Sequence, residues 1–576
     1  MLALLGRVVQ LQLRPPAPLQ RHAGTLHGRH ALHARRGTLC DTRGRVLAAT
    51  HLGTRLFADP GLIDDLPRFA ERVADLLDYD EAEIVRMVDA RRDGRYVVLD
   101  PDLTAWRIAE LASHRVPGLG TERFAARHYP HRSRAGQLLG VVGTDGVGRE
   151  GIEFALNREL SADAGSIRFL RDAANRPLSI EAGGFKPPAD GRDVQVSIDL
   201  VIQSLAEVEL ERQCLRYGAD AGQLIVMEPA TGRVLAMANY PFFDPAELLT
   251  TPRDRRRNRC VTDAFEPGSV FKPFVWAAAL EGGFAVGDEM IDCTESGVYR
   301  SPKGRRLRDA HAHGMLTWEQ VLVKSSNIGM AIVAQRMGID HLDRAVRRFG
   351  FGQRSGIGLP GEASGIVHPA RKWTHYSVTS VPMGQEIAAT GLQLVRALAA
   401  IANDGMMPAA SIRCAGEFGT EIIYEPVLSP EAARYTRYVM RRVVTEGTGR
   451  RARSERYSIF GKTGTAQVPN PKGGGYLPEQ YTSSFIGGAP VEQPRLVAGC
   501  FVHRPDKSKG HYGGIVAAPA ILRVIEQSLE YLGVAPDVET AAPLDGAGLS
   551  RRHGGTEEQE TRGTPAAQRS DGRETL

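Results

Sequence analysis

The spacing of apolar and polar residues changes character along the chain. The first thirteen residues, "MLALLGRVVQLQL", are mostly apolar but fall short of the roughly 20 apolar residues that span a bilayer. They read either as interior packing or as the tail of a membrane helix whose beginning is missing. A secretory signal fits poorly, because no basic residues precede the apolar stretch and no small-residue cleavage site follows. Residues 14–36 are rich in arginine, histidine and proline and read as a linker. "RGTLCDTRGRVLAAT" then sets two short alternating runs around Asp-Thr-Arg-Gly, a hairpin signal. Residues 60–128 carry helical periodicity, as in "RFAERVADLLDYD" and "AEIVRMVDARR". From "QLLGVVG" to "GGFKPPADG" strand, helix and turn patterns mix, so 37–190 reads as one N-terminal domain.

A second style begins near Asp193. "DVQVSID" alternates, "LVIQSLAEVELERQCLRY" is an amphipathic helix, and "AGQLIVMEPATGRVLAMANYP" reads as two strands around a Pro-Ala-Thr-Gly turn. Near the other end, "TSSFIGGAP" and "LVAGCFVHR" flank "VEQPR" in the same way. Helical patterns fill the middle, so strands from both ends are expected to share one antiparallel sheet with helices packed on it. This predicts an α+β multidomain protein whose second domain covers 191–535. After residue 536 the chain is polar and poor in aromatics, and 536–576 is expected to be a disordered tail.

Composition adds bounds rather than identity. With 576 residues, 42% apolar and 24% charged, the chain is ordinary globular material of two or three domains. A net charge of +5, dispersed and without a nucleic-acid-binding signature, gives no reason to expect DNA or RNA as a partner. The 6 cysteines form no Cys-x-x-Cys pair, and His311 and His313 beside Asp309 read as loop residues, so no metal is expected. "GVGREG" matches Gly-x-Gly-x-x-Gly, but the hairpin pattern "SIRFLRDAANRPLSIE" follows it instead of a second parallel strand, so no dinucleotide cofactor is expected. A Walker loop ending at Lys462 fails too, because Arg456 stands where it needs glycine.

Three short motifs each carry a chemical and a plain structural reading. In "EPGSVFKPF", Pro-Gly breaks the chain before Ser269, and Pro273 is tolerated only in a first helical turn, so a helix begins close to Ser269. Lys272 lies one turn on, on the same face. A lysine at its usual pKa of about 10.4 is protonated and cannot accept a proton, so a base role needs burial or a nearby cation. The plain reading is a serine cap with a solvated lysine. "VKSSNIGMAIVAQRM" places Ser325 and Asn327 at the start of another amphipathic helix, where both residue types also serve as caps. "SIFGKTGTAQV" sets Lys462, Thr463, Gly464 and Thr465 at the start of a strand-like run. There glycine admits a close backbone or ligand, and the hydroxyls and lysine can hold an anion.

Together, Ser-x-x-Lys, Ser-x-Asn and Lys-Thr-Gly occur in the order used by penicillin-binding enzymes. The chain resembles a class B penicillin-binding protein, a monofunctional peptidoglycan D,D-transpeptidase, most like the cell-division type. "RGTLCDTRGRVLA", "HYPHRSRAGQLLG" and "GREGIE" are similar to elements of that family's pedestal, so "GVGREG" is better read as part of one. The resemblance implies a pedestal domain followed by a transpeptidase domain with a central antiparallel sheet. It implies Ser269 as nucleophile, Lys272 as general base, Ser325 as proton relay, Asn327 as orienting group and Lys462 as the neighbouring positive charge. Thr463 and Thr465 would bind the substrate's terminal carboxylate beside Gly464, with the backbone N–H groups of Ser269 and Thr465 as oxyanion hole.

Implied partners are peptidoglycan stem peptides, lipid-linked glycan strands and β-lactams, with a membrane glycan polymerase and division proteins reached through the pedestal. The implied location is the cytoplasmic membrane with the catalytic domain outside the cytoplasm, although the usual anchor helix is absent or cut short here. Asp41-Thr42 stands where Asp-Arg is usual, and "HYPHR" lacks a glycine that commonly follows the proline. An elongation- or sporulation-type enzyme remains an alternative within the family. A β-lactam-binding sensor or a β-lactamase sharing the fold is a further alternative, although a β-lactamase has no use for a pedestal of about one domain, and a non-catalytic divisome scaffold is another, against which the three intact motifs count.

Overall fold

The computed structural model describes residues 1–14, 27–172, 177–248, 250–414 and 422–538. The helix Leu2–Leu13 opens the chain, with Leu4, Leu5, Val8, Val9 and Leu13 exposed. It is therefore not interior packing, and no described helix is long and apolar enough to cross a membrane. The linker expected over 14–36 is corrected at its end: His27–Leu32 is a strand paired with Gly165–Arg171, which in turn pairs with Pro177–Lys186. "HGRHAL" gives little apolar alternation, and its strand character comes from the distant partner.

The rest of the pedestal is built on Val46–Ala58. This long strand pairs with Leu39–Cys40, Val97–Asp100 and Leu119–His128, so the stretch 60–128 holds two strands among its helices. Helix Leu66–Leu77, capped by Asp65, buries Phe69, Val73 and Leu77 against Leu56, Ile84 and Val88. The "GREGIE" segment is a packing element. Glu153 is fully buried and accepts hydrogen bonds at 2.7 Å from both Arg36 and Arg127. Gly151 has φ +61, and a Cβ there would lie 2.4 Å from the Leu138 carbonyl oxygen, so only glycine fits this crossing. Asp41, in the hairpin turn, accepts from Arg43 N, Arg45 N and Leu200 N, while Arg45 also pairs with Asp199. This carboxylate cluster joins the pedestal hairpin to the helix that opens the second domain.

That domain's elements are labelled here: α1 (Leu200–Tyr217), β1 (Ala221–Met227), β2 (Val234–Tyr240), α2 (Lys272–Glu281), α3 (Trp318–Lys324), α4 (Asn327–Arg348), α5 (Gly391–Ala402), α6 (Pro430–Thr445), β3 (Phe460–Pro469), β4 (Tyr476–Ala489), β5 (Leu496–His503) and α7 (Ala518–Tyr531). The antiparallel sheet runs β2-β1-β5-β4-β3, joining strands from both ends of the domain as the sequence pattern implied. α1 and α7 pack with the Ile202, Leu210, Ile521 and Val524 side chains over one face. α5, buried at every position, packs on β1 and β5 from the other. β1 is buried on both faces, so it reads as a continuous apolar run. β3 is an edge strand, and its free backbone edge can take a further extended chain. The tail expected over 536–576 starts slightly too early: Asp537 still accepts from Ser458 N at 2.7 Å. Residues 539–576 lie outside the described residues.

Candidate active site

Ser269 sits in the 3-10 turn Gly268–Phe271 that leads directly into α2, whose first residue is Lys272. Gly268 has φ +58 and donates its N–H to Gly384 O at 3.1 Å, holding the turn against the loop before α5. Opposite the turn runs β3. A Cβ on Gly464 would lie 2.9 Å from Val270 Cγ1 and 3.0 Å from Val270 N, so glycine is what lets the strand pass beside the nucleophile's turn.

Lys272 is not a solvated lysine. Its exposure is 0%, as is that of Lys462. The Lys272 amine donates to Ser325 O at 2.6 Å and to Asn327 Oδ1 at 2.8 Å, and lies 3.1 Å from Ser325 Oγ. Two of these partners are acceptors only, so an ammonium would donate to all three, whereas a neutral amine would spend its two N–H bonds on the carbonyl and the amide oxygen and turn its lone pair to a hydroxyl. The Lys462 amine lies 2.9 Å from Ser325 Oγ and donates to Thr463 O at 3.0 Å. The Ser325 hydroxyl thus stands between two buried amines.

Burial pushes Lys272 down to about 7, with the charge of Asp309 opposing the shift. Burial also drives Lys462 well below the usual lysine range, and repulsion from Lys272 adds to it. Of the two routes to a neutral Lys272, burial or a neighbouring cation, burial is the larger, because both amines are withdrawn from water and no carboxylate among the described residues forms an ion pair with either.

Ser325 does not begin a helix. It ends α3 in the left-handed region, φ +60, and Ser326 is the N-cap of α4, accepting from Gly329 N at 3.0 Å. The "SSN" stretch is the corner between two helices that abut without a loop. A serine in that backbone region is uncommon and marks a position held by its surroundings. Asn327 Nδ2 donates to Arg308 O at 2.9 Å, which turns its Oδ1 toward Lys272.

Thr463 and Thr465 alternate with Lys462 along β3 and project to its other side. Thr463 Oγ1 is 2.6 Å from Thr448 Oγ1, and Thr465 Oγ1 accepts from Gly513 N at 3.0 Å. Each arrangement leaves a hydroxyl hydrogen to spare. Thr448 and the Arg308 carbonyl are site groups that the sequence reading missed, and of the two only Thr448 had even a faint signal, a hydroxyl set between glycines after a helix.

A serine on a tight turn before a helix, two buried lysines meeting at a second serine, and an edge strand beside them define a serine acyl-transfer site of the penicillin-binding fold. The family model "Penicillin binding protein transpeptidase domain" matches residues 222–526, and the "Penicillin-binding Protein dimerisation domain" model matches 31–196. The chain belongs to the class B penicillin-binding proteins. It is 31% identical over 564 residues to the probable peptidoglycan D,D-transpeptidase PbpC of Pseudomonas aeruginosa, covering 96% of each chain. It is 29% identical to the peptidoglycan D,D-transpeptidase FtsI of Escherichia coli, over 93% of this chain and 90% of that one. The crystal structure of penicillin-binding protein 3 from Mycobacterium tuberculosis complexed with aztreonam superposes with a TM-score of 0.67 at 27% identity, covering 88% of this chain and 98% of that one.

Proposed function

We propose that the chain is a peptidoglycan D,D-transpeptidase that cross-links stem peptides through an acyl-enzyme on Ser269, and that β-lactams acylate the same oxygen. Lys272, a substantial fraction of which is neutral near pH 7, takes the Ser269 proton as Oγ attacks the penultimate D-Ala carbonyl. The oxyanion is held by the backbone N–H groups of Ser269 and Thr465. Ser325 passes a proton to the leaving terminal D-Ala amine, and Lys462, on the far side of that hydroxyl, adjusts which way the proton moves. Asn327 keeps the Lys272 lone pair directed. The hydroxyl hydrogens of Thr463 and Thr465 donate to the substrate's carboxylate across Gly464. An amine from a second stem peptide then displaces Ser269, with the proton steps reversed.

The single observation that carries this reading is the meeting of two buried lysines, Lys272 and Lys462, at the half-buried Ser325, whose hydroxyl is 3.1 and 2.9 Å from their amines. Labelling the purified chain with a fluorescent penicillin, beside Ser269→Ala, tests it. A stable adduct in wild type and none in the variant is expected; equal labelling of both, or none in wild type, overturns it. Rapid loss of the label points instead to a β-lactamase.

The division role rests on the resemblance of "EPGS" and "SSNIG" and on the relationship to FtsI; the stage V sporulation protein D of Bacillus subtilis, 31% identical, represents the sporulation alternative. The catalytic domain acts outside the cytoplasm on lipid-linked glycan strands, with the pedestal meeting a membrane glycan polymerase and division proteins. Depletion that yields filaments with unfinished septa supports the division role, and rounded cells or a defect confined to spores sink it.

A further inference from the structure

Asp309 follows the short strand Arg306–Arg308 and lies against the N-terminus of α4. Its Oδ1 accepts from Asn327 N at 2.5 Å and from Ile328 N at 3.0 Å, and its Oδ2 accepts from Ser326 Oγ at 2.5 Å. Ser326 Oγ in turn caps Gly329 N. A carboxylate at this point satisfies donors that the first turn of a helix leaves free and favours the positive end of its dipole. The preceding residue contributes as well, since Arg308 O accepts from Asn327 Nδ2 at 2.9 Å. Residues 308 and 309 therefore grip Asn327 by both its backbone and its side chain, and Asn327 Oδ1 is one of the two acceptors that orient Lys272.

We propose that Asp309 is a positioning residue for acyl transfer, which locks the Ser325–Asn327 corner that holds Lys272 and sets a carboxylate behind it. The idea rests on the proposed function of the site and deepens it. Lys272 is faced by Ser325 and Asn327 from the α3–α4 corner, by Lys462 from β3 and by the charge of Asp309. Asp309 in turn is faced by His313, around which His311 and Lys324 also act, and by the Cys293 thiol beside Ser326. Its charge favours the protonated form of Lys272 and opposes desolvation, so the acid limb of acylation reports both effects. Too little opposition leaves Lys272 a weaker base, and too much keeps it protonated.

The test separates the charge from the grip. Asp309→Asn keeps an acceptor oxygen for Asn327 N and Ile328 N and turns an amide N–H toward Ser326 Oγ, while removing the charge. Asp309→Ala removes both. Acylation of the full chain by a fluorescent penicillin is followed from pH 5 to 9. In Asp309→Asn the acid inflection is expected to move down by about half a pH unit or more, because a group favouring the protonated amine is lost. In Asp309→Ala the rate at pH 8 is expected to fall by at least about tenfold, and further than in Asp309→Asn. An Asn variant whose inflection stays at the wild-type pH overturns the proposal, as does an Ala variant acylated at the wild-type rate. Should the Ala variant fail to fold, judged by its melting curve, the inflection of the Asn variant alone decides. Wild type that takes no label refutes the site's proposed function instead, a result distinct from either Asp309 outcome.

Discussion

One buried charge cluster in the pedestal and one in the transpeptidase domain are built in opposite ways. In the pedestal, Glu153 is held between Arg36 and Arg127 at 2.7 Å. In the transpeptidase domain, Lys272 and Lys462 are equally buried but meet hydroxyls, carbonyls and an amide oxygen. A buried charge left without an ion partner shifts toward its neutral form, which is useless for architecture and necessary for a lysine base. The pedestal cluster holds strands and turns together, while the lysine cluster keeps a proton acceptor available.

That contrast can be broken by exchanging the consequences. Lys272→Met removes the proton acceptor and is expected to slow penicillin acylation by about 10²–10⁴-fold, with no loss in the urea midpoint because an uncompensated amine has also gone. A large stability loss would place Lys272 in the architectural class. Glu153→Ala leaves two buried guanidinium groups facing each other and is expected to cost about 3–5 kcal/mol, read by urea unfolding. Acylation per folded molecule stays at the wild-type level; a fall comparable to that of Lys272→Met would erase the distinction.

A pH series sharpens it further. Lys272 titrates at about 7 in the folded protein against an ordinary lysine value of 10.5, so between those limits the unfolded chain binds more protons and stability rises with pH. Wild type should gain up to a few kcal/mol across this window relative to Lys272→Met, and parallel curves would show that the amine is not desolvated. The smallest effect is expected at Gly464→Ala, where a methyl group meets Val270 at 2.9–3.0 Å. The crowding should cost about 1–3 kcal/mol and lower acylation by disturbing the Ser269 turn; an unchanged acylation rate would show that β3 does not support that turn.

The sequence revealed these features unequally. The central sheet was legible because its strands Ala221–Met227, Val234–Tyr240 and Leu496–His503 are largely apolar runs set beside turn residues, and the catalytic side chains because three motifs constrain one another. The strand His27–Leu32 was not, since its side chains are mostly polar and its pairing partner lies far along the chain. Val97–Asp100 and Leu119–His128 were hidden in a stretch dominated by helical periodicity, and they exist as strands because Val46–Ala58 offers them an edge. The same limit applies within the site. Ser325 and Asn327 were legible as chemistry, but the left-handed corner that seats Ser325 depends on α3 stopping where α4 starts. Thr448 matters because the fold sets it beside Thr463, a partner that its faint local signal does not name.

The central claim is that burial makes Lys272 the base for Ser269. The pH dependence of acylation by a fluorescent penicillin tests it most directly, measured from pH 5 to 10 in wild type and Lys272→Ala. The account predicts a rate that rises through an inflection near pH 7 and a residual rate without that inflection in the variant. A wild-type profile that is flat, or that inflects only near the ordinary lysine value of 10.5, would contradict it.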